Sequence, residues 1–416
     1  QYIAREFYGV WGDYDVALTL DKNYKVGATG VLQNAAAIGW GYDKEGTDLK
    51  PITTPTRTWR FSVKNVHDFV WAADPDYKHI TRKVNNGPLL HFIYKRVNSL
   101  ENNWQSTADT CAIAYSYMGK TFGSYPWPSY SFIEGGDGGM EYGMASLIHS
   151  PSLGTALHEW LHSWYQHLFG TNESLYPWMD EGFTTYAELR TSAWLHNQND
   201  SFCLPAYKGY YALAKSKWEE PMSTHSDHFN TNYAYTIAAY TKGAVFLAQL
   251  GYIVGEKNLD KILQEYYHLW KFKHPNPNDF IAVAEKVSRI ELDWYKEYWI
   301  YTTKTIDYGV DSIWMDGSNT NIRIVREGKM PMPVDIQLTF KDGTKENHYV
   351  PLDLMLGEKP EEDNLKRKIY PEWKWVQPKY IISTNKKITD IVSVEIDPSL
   401  RMADINKKNN KLELKW

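Results

Sequence analysis

The chain has 416 residues, which is longer than one ordinary domain core, so its length predicts two or three domains. A hydrophobic content of 43% with 23% charged residues is typical of a globular protein, and no apolar run is long enough to cross a bilayer. The net charge of -5, without a basic stripe, argues against a nucleic-acid partner. The 2 cysteines lie too far apart in sequence to suggest a disulfide scaffold or a metal knuckle.

The first zone, residues 1–70, alternates apolar and polar residues with a period of two. The alternation occurs at Val16, Leu18 and Leu20 and again at Trp59, Phe61 and Val63. This period is typical of half-buried antiparallel strands, so the zone is predicted to be a β module.

The second zone, residues 71–312, has the longer apolar spacing of amphipathic helices. Helices are predicted over residues 108–118, 155–168, 181–195, 236–253, 259–270 and 278–290. Asn278 is the candidate N-cap of the last helix, with Asp279 in its first turn.

Alternation returns in the third zone, residues 317–416. A strand from Val334 to Phe340 runs into Asp342-Gly343, a pair that favours a tight hairpin turn. The three zones together predict a multidomain α+β protein in which two β modules flank an α-rich core.

The segment HEWLH places His158 and His162 four residues apart within a predicted helix. Side chains at this spacing lie on one helical face, so both imidazoles can bind one metal ion. Glu159 is rotated by about 100° from His158 and flanks that point without occupying it. Glu181 opens the next predicted helix and can supply a third ligand.

Two neutral imidazoles and one carboxylate suit a hydrolytic Zn²⁺ site, in which a fourth position is left for water. Such a ligand set leaves the ion positively charged, so it can lower the pKa of bound water toward about 7. We therefore expect one Zn²⁺ per chain held by His158, His162 and Glu181, with Glu159 as general base.

These residues, with Glu181 inside WMDEGFTTYAE, resemble the aminopeptidase N family of zinc peptidases, which includes the leukotriene hydrolase branch. Thermolysin-like endopeptidases have a gap between His162 and Glu181 that is one residue longer and different flanking sequence. The resemblance implies a β module at 1–70, a thermolysin-like catalytic domain at 71–312 and a C-terminal β-sandwich at 317–416. It is closest to bacterial members, and much of the N-terminal β domain is expected upstream of Gln1.

A second motif, GGDGGMEYG at residues 135–143, resembles the Gly-x-Met-Glu-Asn exopeptidase motif of this family. Glycines allow close approach of a substrate backbone, and Glu141 can pair with a peptide α-amino group, whose pKa is about 7.7–8.0. The resemblance assigns substrate contacts to Gly138, Gly139 and Met140, whereas Tyr142 replaces the usual Asn. By itself this stretch also fits a glycine-rich surface turn.

A third motif, Tyr240-Thr241-Lys242-Gly243, resembles the family's Tyr-x-Lys-Gly signature. The resemblance implies that the Tyr240 hydroxyl donates to the oxyanion and that Tyr235 is a second tyrosine of the substrate pocket. Glu188 and Asp180 are candidate partners for the free N–H groups of the ligand histidines.

The sequence thus predicts a zinc-dependent aminopeptidase that acts on peptides with a free N-terminus and has no transmembrane segment in this chain. The alternatives are an endopeptidase or an epoxide hydrolase on the same zinc core, or a non-catalytic peptide-binding scaffold. The resemblance favours a periplasmic, envelope-associated or secreted location over the cytoplasm. The oligomeric state has no sequence signal.

Overall fold

The computed structural model describes residues 7–43, 52–198, 202–362 and 366–415. The described residues form two compact units. The first comprises residues from 5–202 together with 266–275, and the second comprises 203–265 together with 276–416. Part of the predicted first zone, including Gln1 and residues 44–51, lies outside the described residues.

The first unit begins with a small antiparallel sheet and an adjoining strand pair. The elements are β1 Gly12–Asp21, β2 Lys25–Ala28, β3 Val31–Leu32, α1 Ala35–Ile38, β4 Thr56–Val66 and β5 Trp71–Asp74. β1 pairs with β4, with Leu18 opposite Trp59, and β2 pairs with β5. The period-two prediction for this zone is confirmed, because the alternating apolar residues cover the cluster around the buried Trp59.

A five-stranded sheet follows, in the order β6-β7-β8-β10-β9. Its strands are β6 Tyr77–Lys83, β7 Leu89–Lys95, β8 Ser129–Glu134, β9 Gly139–Tyr142 and β10 Ala145–Ile148. The prediction of helical spacing from residue 71 onward was wrong over β6, β7, β8 and β10. β7 and β8 are buried almost throughout and show no alternation, and short runs of this kind cannot be assigned from periodicity.

The helices of the first unit are α2 Glu101–Thr121, α3 Leu153–Leu161 and α4 Phe183–His196. α3 does not continue to residue 168 as one regular helix. It is followed by a wider, π-type turn over Ser163–Leu168, in which Tyr165 has φ of -94° and ψ of 42°. A second π-type turn, Trp178–Gly182, precedes α4 and contains Glu181.

The second unit contains the remaining helices. They are α5 Leu204–Ala214, α6 Asn232–Thr236, α7 Gly243–Val254, α8 Glu256–Trp270 (whose last turn belongs to the first unit), α9 Pro277–Ser288 and α10 Asp293–Tyr301. A third π-type turn, Ile237–Lys242, joins α6 to α7. The helical stretch Asn232–Val254 is long and apolar enough for a membrane span, but 83% of its most apolar window is buried inside the protein.

The predicted N-cap of α9 was wrong by two residues. Asn276, not Asn278, caps the helix: its side chain accepts from the Asn278 N–H at 2.9 Å, while Asp279 accepts from the Asn276 N–H at 2.8 Å. This reciprocal capping box places Pro277 at the first helical position, where a missing N–H costs nothing.

The second unit ends in two antiparallel-rich sheets that form a sandwich. The strands are β11 Tyr308–Asp316, β12 Asn319–Arg326, β13 Val334–Phe340, β14 Lys345–Val350, β15 Arg367–Ile369, β16 Lys379–Thr384, β17 Ile391–Ile396 and β18 Lys411–Glu413. One sheet has the order β11-β12-β16 and the other β15-β14-β13-β17-β18, and β11 packs against β17 and β18. The hairpin at Asp342-Gly343 is confirmed, with Gly343 at φ of 81°. The domain boundaries at residues 70 and 317 stay predictions.

The capping box gives a stability prediction for the second unit. Asn276→Ala should lower the free energy of unfolding by about 1 kcal/mol, because the Asn278 N–H at the start of α9 loses its side-chain acceptor. Urea denaturation measures this change. Asn278→Ala is the matched control, since its side chain accepts from Lys296 Nζ at 2.9 Å and does not cap the helix. An equal loss in both variants would contradict the assignment.

Candidate active site

The two histidines of the site are positioned by α3. The helix is capped by Ser152, whose side chain accepts from the Thr155 N–H, and its opposite face carries the fully buried Trp160. Trp160 packs against the rings of Tyr115 and Tyr130, which fixes the rotation of the helix. His158 and His162 therefore point away from the core side of α3, toward a common point.

Glu181 reaches the same point from the π-type turn before α4. Its Oε2 lies 3.1 Å from His158 Nε2 and 3.3 Å from His162 Nε2, and the two Nε2 atoms are 3.1 Å apart. The histidine rings are nearly perpendicular, at 78°. The structure thus brings together the three residues that the sequence predicts as ligands.

These distances and donor types fit a zinc ion. A tetrahedral Zn²⁺ with bonds of about 2.0–2.1 Å separates neighbouring ligand atoms by about 3.3 Å, close to the three separations found here. The side chains of His162 and Glu181 are 1% and 5% exposed, whereas His158 is 15% exposed. The donors therefore form a compact, buried group with one more accessible member.

The outer nitrogens of both histidines face carboxylates. His162 Nδ1 lies 2.7 Å from Asp180 Oδ1, and His158 Nδ1 lies 3.5 Å from Glu188 Oε2. A carboxylate on Nδ1 directs the Nε2 lone pair of a neutral imidazole toward a metal. Asp180 and Glu188 are thus placed where the sequence analysis expected them.

One residue of this outer layer was missed from the sequence. Thr184 Oγ1 lies 3.2 Å from His162 Nδ1 and is fully buried. Its spacing of three residues after Glu181, on the same helical face, is the signal that could have identified it.

The charges of the site complement each other. Burial alone would lower the pKa of His158, but hydrogen bonds to Glu181 and Glu188 raise this pKa to about 10. Burial would raise the pKa of Glu181, yet His162 and His158 hold it well below its usual value. Binding of a divalent cation would displace protons from the imidazoles, because only the neutral ring can coordinate a metal.

Glu159 lies next to the ligands on the neighbouring face of α3. Its carboxyl is buried, and burial raises its pKa to about 8. It also lies directly against Gly139, since a Cβ on Gly139 would collide with Glu159 Oε1 and come within 2.9 Å of Thr155 Cγ2. A glycine at this position is what allows the strand and the carboxyl to approach.

Glu141 lies in β9, the edge strand of the five-stranded sheet, opposite Ser146 of β10. Its side chain is 5% exposed and its Oε1 has no hydrogen-bond partner among the described residues. The same oxygen is 3.9 Å from His162 Nδ1, so this unsatisfied acceptor adjoins the cluster. Gly138 faces open space, and Met140 is half-buried.

Tyr235 and Tyr240 belong to the second unit. Tyr240 is half-buried in the π-type turn Ile237–Lys242, and its ring contacts Tyr235 edge-on with centroids 6.5 Å apart. Tyr235 is 1% exposed, and its hydroxyl has no hydrogen-bond partner within the described part of the chain. The substrate roles of both tyrosines stay predictions.

Comparisons with known proteins agree on one family. Residues 149–299 match the peptidase family M1 domain. Aminopeptidase B of Mus musculus is 29% identical over 220 residues, 47% of this chain and 31% of the relative. Leucine aminopeptidase 2 of Chaetomium globosum is 28% identical over 130 residues, 30% of this chain and 21% of the relative. The matched parts therefore span less than a third of the length of these curated relatives.

Solved structures show the same fold. The aminopeptidase A of Legionella pneumophila, in complex with aspartic acid, has a TM-score of 0.68 and 12% identity, over 95% of this chain and 44% of that one. A mutant M1 zinc metallopeptidase from Deinococcus radiodurans has a TM-score of 0.56 and 17% identity, over 71% and 66%.

The HExxH helix beside a glutamate has the donor set expected of a zinc metallopeptidase, and the fold resembles that of a solved M1 zinc metallopeptidase. Over the matched residues the chain is similar to peptidase family M1, the aminopeptidase N family.

The outer carboxylate gives a testable prediction on metal affinity. Asp180→Ala should weaken zinc binding by about 10- to 100-fold, because His162 loses the acceptor that orients its ring. Competition with a chelator measures the dissociation constant. Asp137→Ala, at an exposed position before β9, is the control and should keep the wild-type affinity. Unchanged affinity in Asp180→Ala would contradict the orienting role.

Proposed function

We propose that the protein is a zinc-dependent aminopeptidase that removes N-terminal residues from peptides with a free N-terminus. It uses one zinc ion per chain, held by His158, His162 and Glu181. The observation that carries this proposal is the convergence of these three donors, 3.1–3.3 Å apart, beside the uncoordinated carboxyl of Glu159.

Zinc, when bound, supplies a Lewis acid that polarises the scissile carbonyl and acidifies the attacking water. Glu159 accepts the proton of that water and later delivers it to the leaving amine. Its raised pKa, about 8 without an ion, reflects a poorly solvated carboxyl that readily takes up a proton.

Glu141 binds the substrate ammonium group. Its buried, unsatisfied Oε1 is an acceptor that a charged amine can satisfy, and an unpaired carboxylate at this depth is otherwise unfavourable. The outer edge of β9 can pair with an extended peptide, and Gly138 and Gly139 let that peptide lie close to the strand. Met140 contributes an adjacent apolar contact.

Tyr240 donates its hydroxyl to the oxyanion of the tetrahedral intermediate, as the resemblance of its motif implies. A phenol, with a pKa near 10, stays protonated at neutral pH and can donate where negative charge develops. Tyr235 supports this ring and borders the substrate pocket.

A location in the bacterial envelope or outside the cell stays a prediction from the resemblance alone.

The base role of Glu159 is tested by Glu159→Gln. This variant should retain zinc but lose about 1000-fold in kcat, because the amide can neither accept nor deliver the proton. Zinc content and hydrolysis of amino-acid amides are measured together. Glu134→Gln, on the same unit, is the control and should behave as wild type. Hydrolysis at the wild-type rate in zinc-loaded Glu159→Gln would exclude the base role.

The choice of chain ends over chain interiors is tested with paired peptides. The wild-type protein should cleave a free peptide and ignore its N-acetylated form, because the acetyl group removes the charge that Glu141 binds. Glu141→Gln should raise KM for the free peptide about 10- to 100-fold, since a charge-assisted bond contributes about 1.5–3 kcal/mol. Equal cleavage of both peptides would instead indicate an endopeptidase.

A further inference from the structure

Lys242 is an unusual residue in the second unit because its ammonium group is almost completely buried. The side chains of Lys242 and Glu219 are 1% and 6% exposed, and Lys242 Nζ lies 2.9 Å from Glu219 Oε1. Lysine is rarely buried to this degree unless it is paired. Here the carboxylate of Glu219 supplies the partner, so the ammonium group of Lys242 has a defined position.

Further contacts enclose the same ammonium group. It lies 6.0 Å from the ring centre of Tyr210 on α5 and 5.9 Å from that of Trp299 on α10. It also donates to the carbonyl of Thr302 at 3.4 Å, where the C-terminal end of α10 favours a cation. One side chain therefore ties the turn Ile237–Lys242 to the Glu219 loop, to α5 and to α10.

The backbone packs equally closely at this point. A Cβ on Gly209 of α5 would come within 2.8 Å of Thr241 Cγ2, so the glycine permits α5 to lie directly against the turn. Lys242 follows Tyr240 by two residues, and helical side chains at this spacing do not share a face. Lys242 thus anchors the inner side of the turn while Tyr240 occupies its half-buried outer side.

A buried ion pair is weak evidence for stability, because desolvation of both charges offsets their attraction. In some proteins such a pair instead fixes the conformation of the segment that carries it. This matters for a π-type turn, whose geometry is less favourable than that of a regular helix.

We propose that Lys242 is a positioning residue, whose ion pair with Glu219 fixes the turn that carries Tyr240. The inference rests on the function proposed above for Tyr240. Lys242 thus acts on catalysis through the position of Tyr240, without contacting the substrate.

The test removes both charges, since Lys242→Met alone would leave Glu219 buried and unpaired. In zinc-loaded protein, Glu219→Gln/Lys242→Met should lower kcat for an amino-acid amide about 10- to 100-fold, because a small displacement of a catalytic group has an effect of this size. KM should stay within about twofold and zinc content should not change, because the lost interaction is made only in the transition state. Wild-type kcat in the folded pair variant would overturn the inference.

A double-mutant cycle separates positioning from a general structural effect. In a Tyr240→Phe background the same pair of substitutions should lower kcat by less than about twofold, because the hydroxyl that it positions is already absent. If the pair of substitutions instead lowers kcat by the same factor in both backgrounds, the inference is overturned. If Tyr240→Phe alone keeps wild-type kcat, the oxyanion role in the proposed function fails instead.

A matched control and a milder variant complete the test. Lys359 and Asp335 form another ion pair in the second unit, 2.6 Å apart, with the buried Lys359 ammonium over Tyr252 and Asp335 half-buried. Asp335→Asn/Lys359→Met should leave kcat unchanged, and an equal loss there would overturn the inference.

If circular dichroism shows that the Lys242 pair variant is unfolded, Glu219→Gln decides in the same assay: a reduced kcat supports positioning, and a wild-type kcat contradicts it.

Discussion

The close approach of two imidazole nitrogens and one carboxylate oxygen is the constraint on which the site depends. Donor atoms 3.1–3.3 Å apart in a buried environment repel one another unless protons or a cation lie between them. The surrounding protein therefore has to hold α3 and the Glu181 turn firmly. Trp160 does this from the core side of α3, and the Asp180 and Glu188 carboxylates do it from the outer nitrogens of the histidines.

Wider helical turns recur at the segments that carry the predicted chemistry. They follow His162, contain Asp180 and Glu181, and contain Tyr240. Such turns change the direction of side chains relative to a regular helix and are frequent at functional sites. In the second of them, consecutive carboxylates reach opposite nitrogens of the same imidazole: Asp180 meets Nδ1 of His162, and Glu181 meets its Nε2. Each turn needs external support, which the ring packing and the ion pair of Lys242 with Glu219 supply.

The edge strand β9 connects the sheet to the cluster. Gly139 lets the strand approach Glu159, and Glu141, two residues later and on the same face, lies buried beside His162. A side chain at residue 139 would separate the strand from the carboxyl. The glycine-rich stretch is therefore a packing requirement as well as a possible surface for a peptide backbone, and the alternative of a simple surface turn does not account for this contact.

The sequence by itself determined that His158 and His162 share a face, because a spacing of four residues places two side chains on one side of any helix. It also determined the alternating strands of β1, β4 and β13, whose two faces differ in polarity. Tertiary structure alone decided the strands β7 and β8, the cap at Asn276 and the contact of Thr184 with His162. A strand that is buried on both faces shows no alternation of apolar and polar residues. A helix cap, or a contact such as that of Thr184 with His162, depends on where the backbone turns. These are properties of packing between distant segments, which local sequence patterns do not contain.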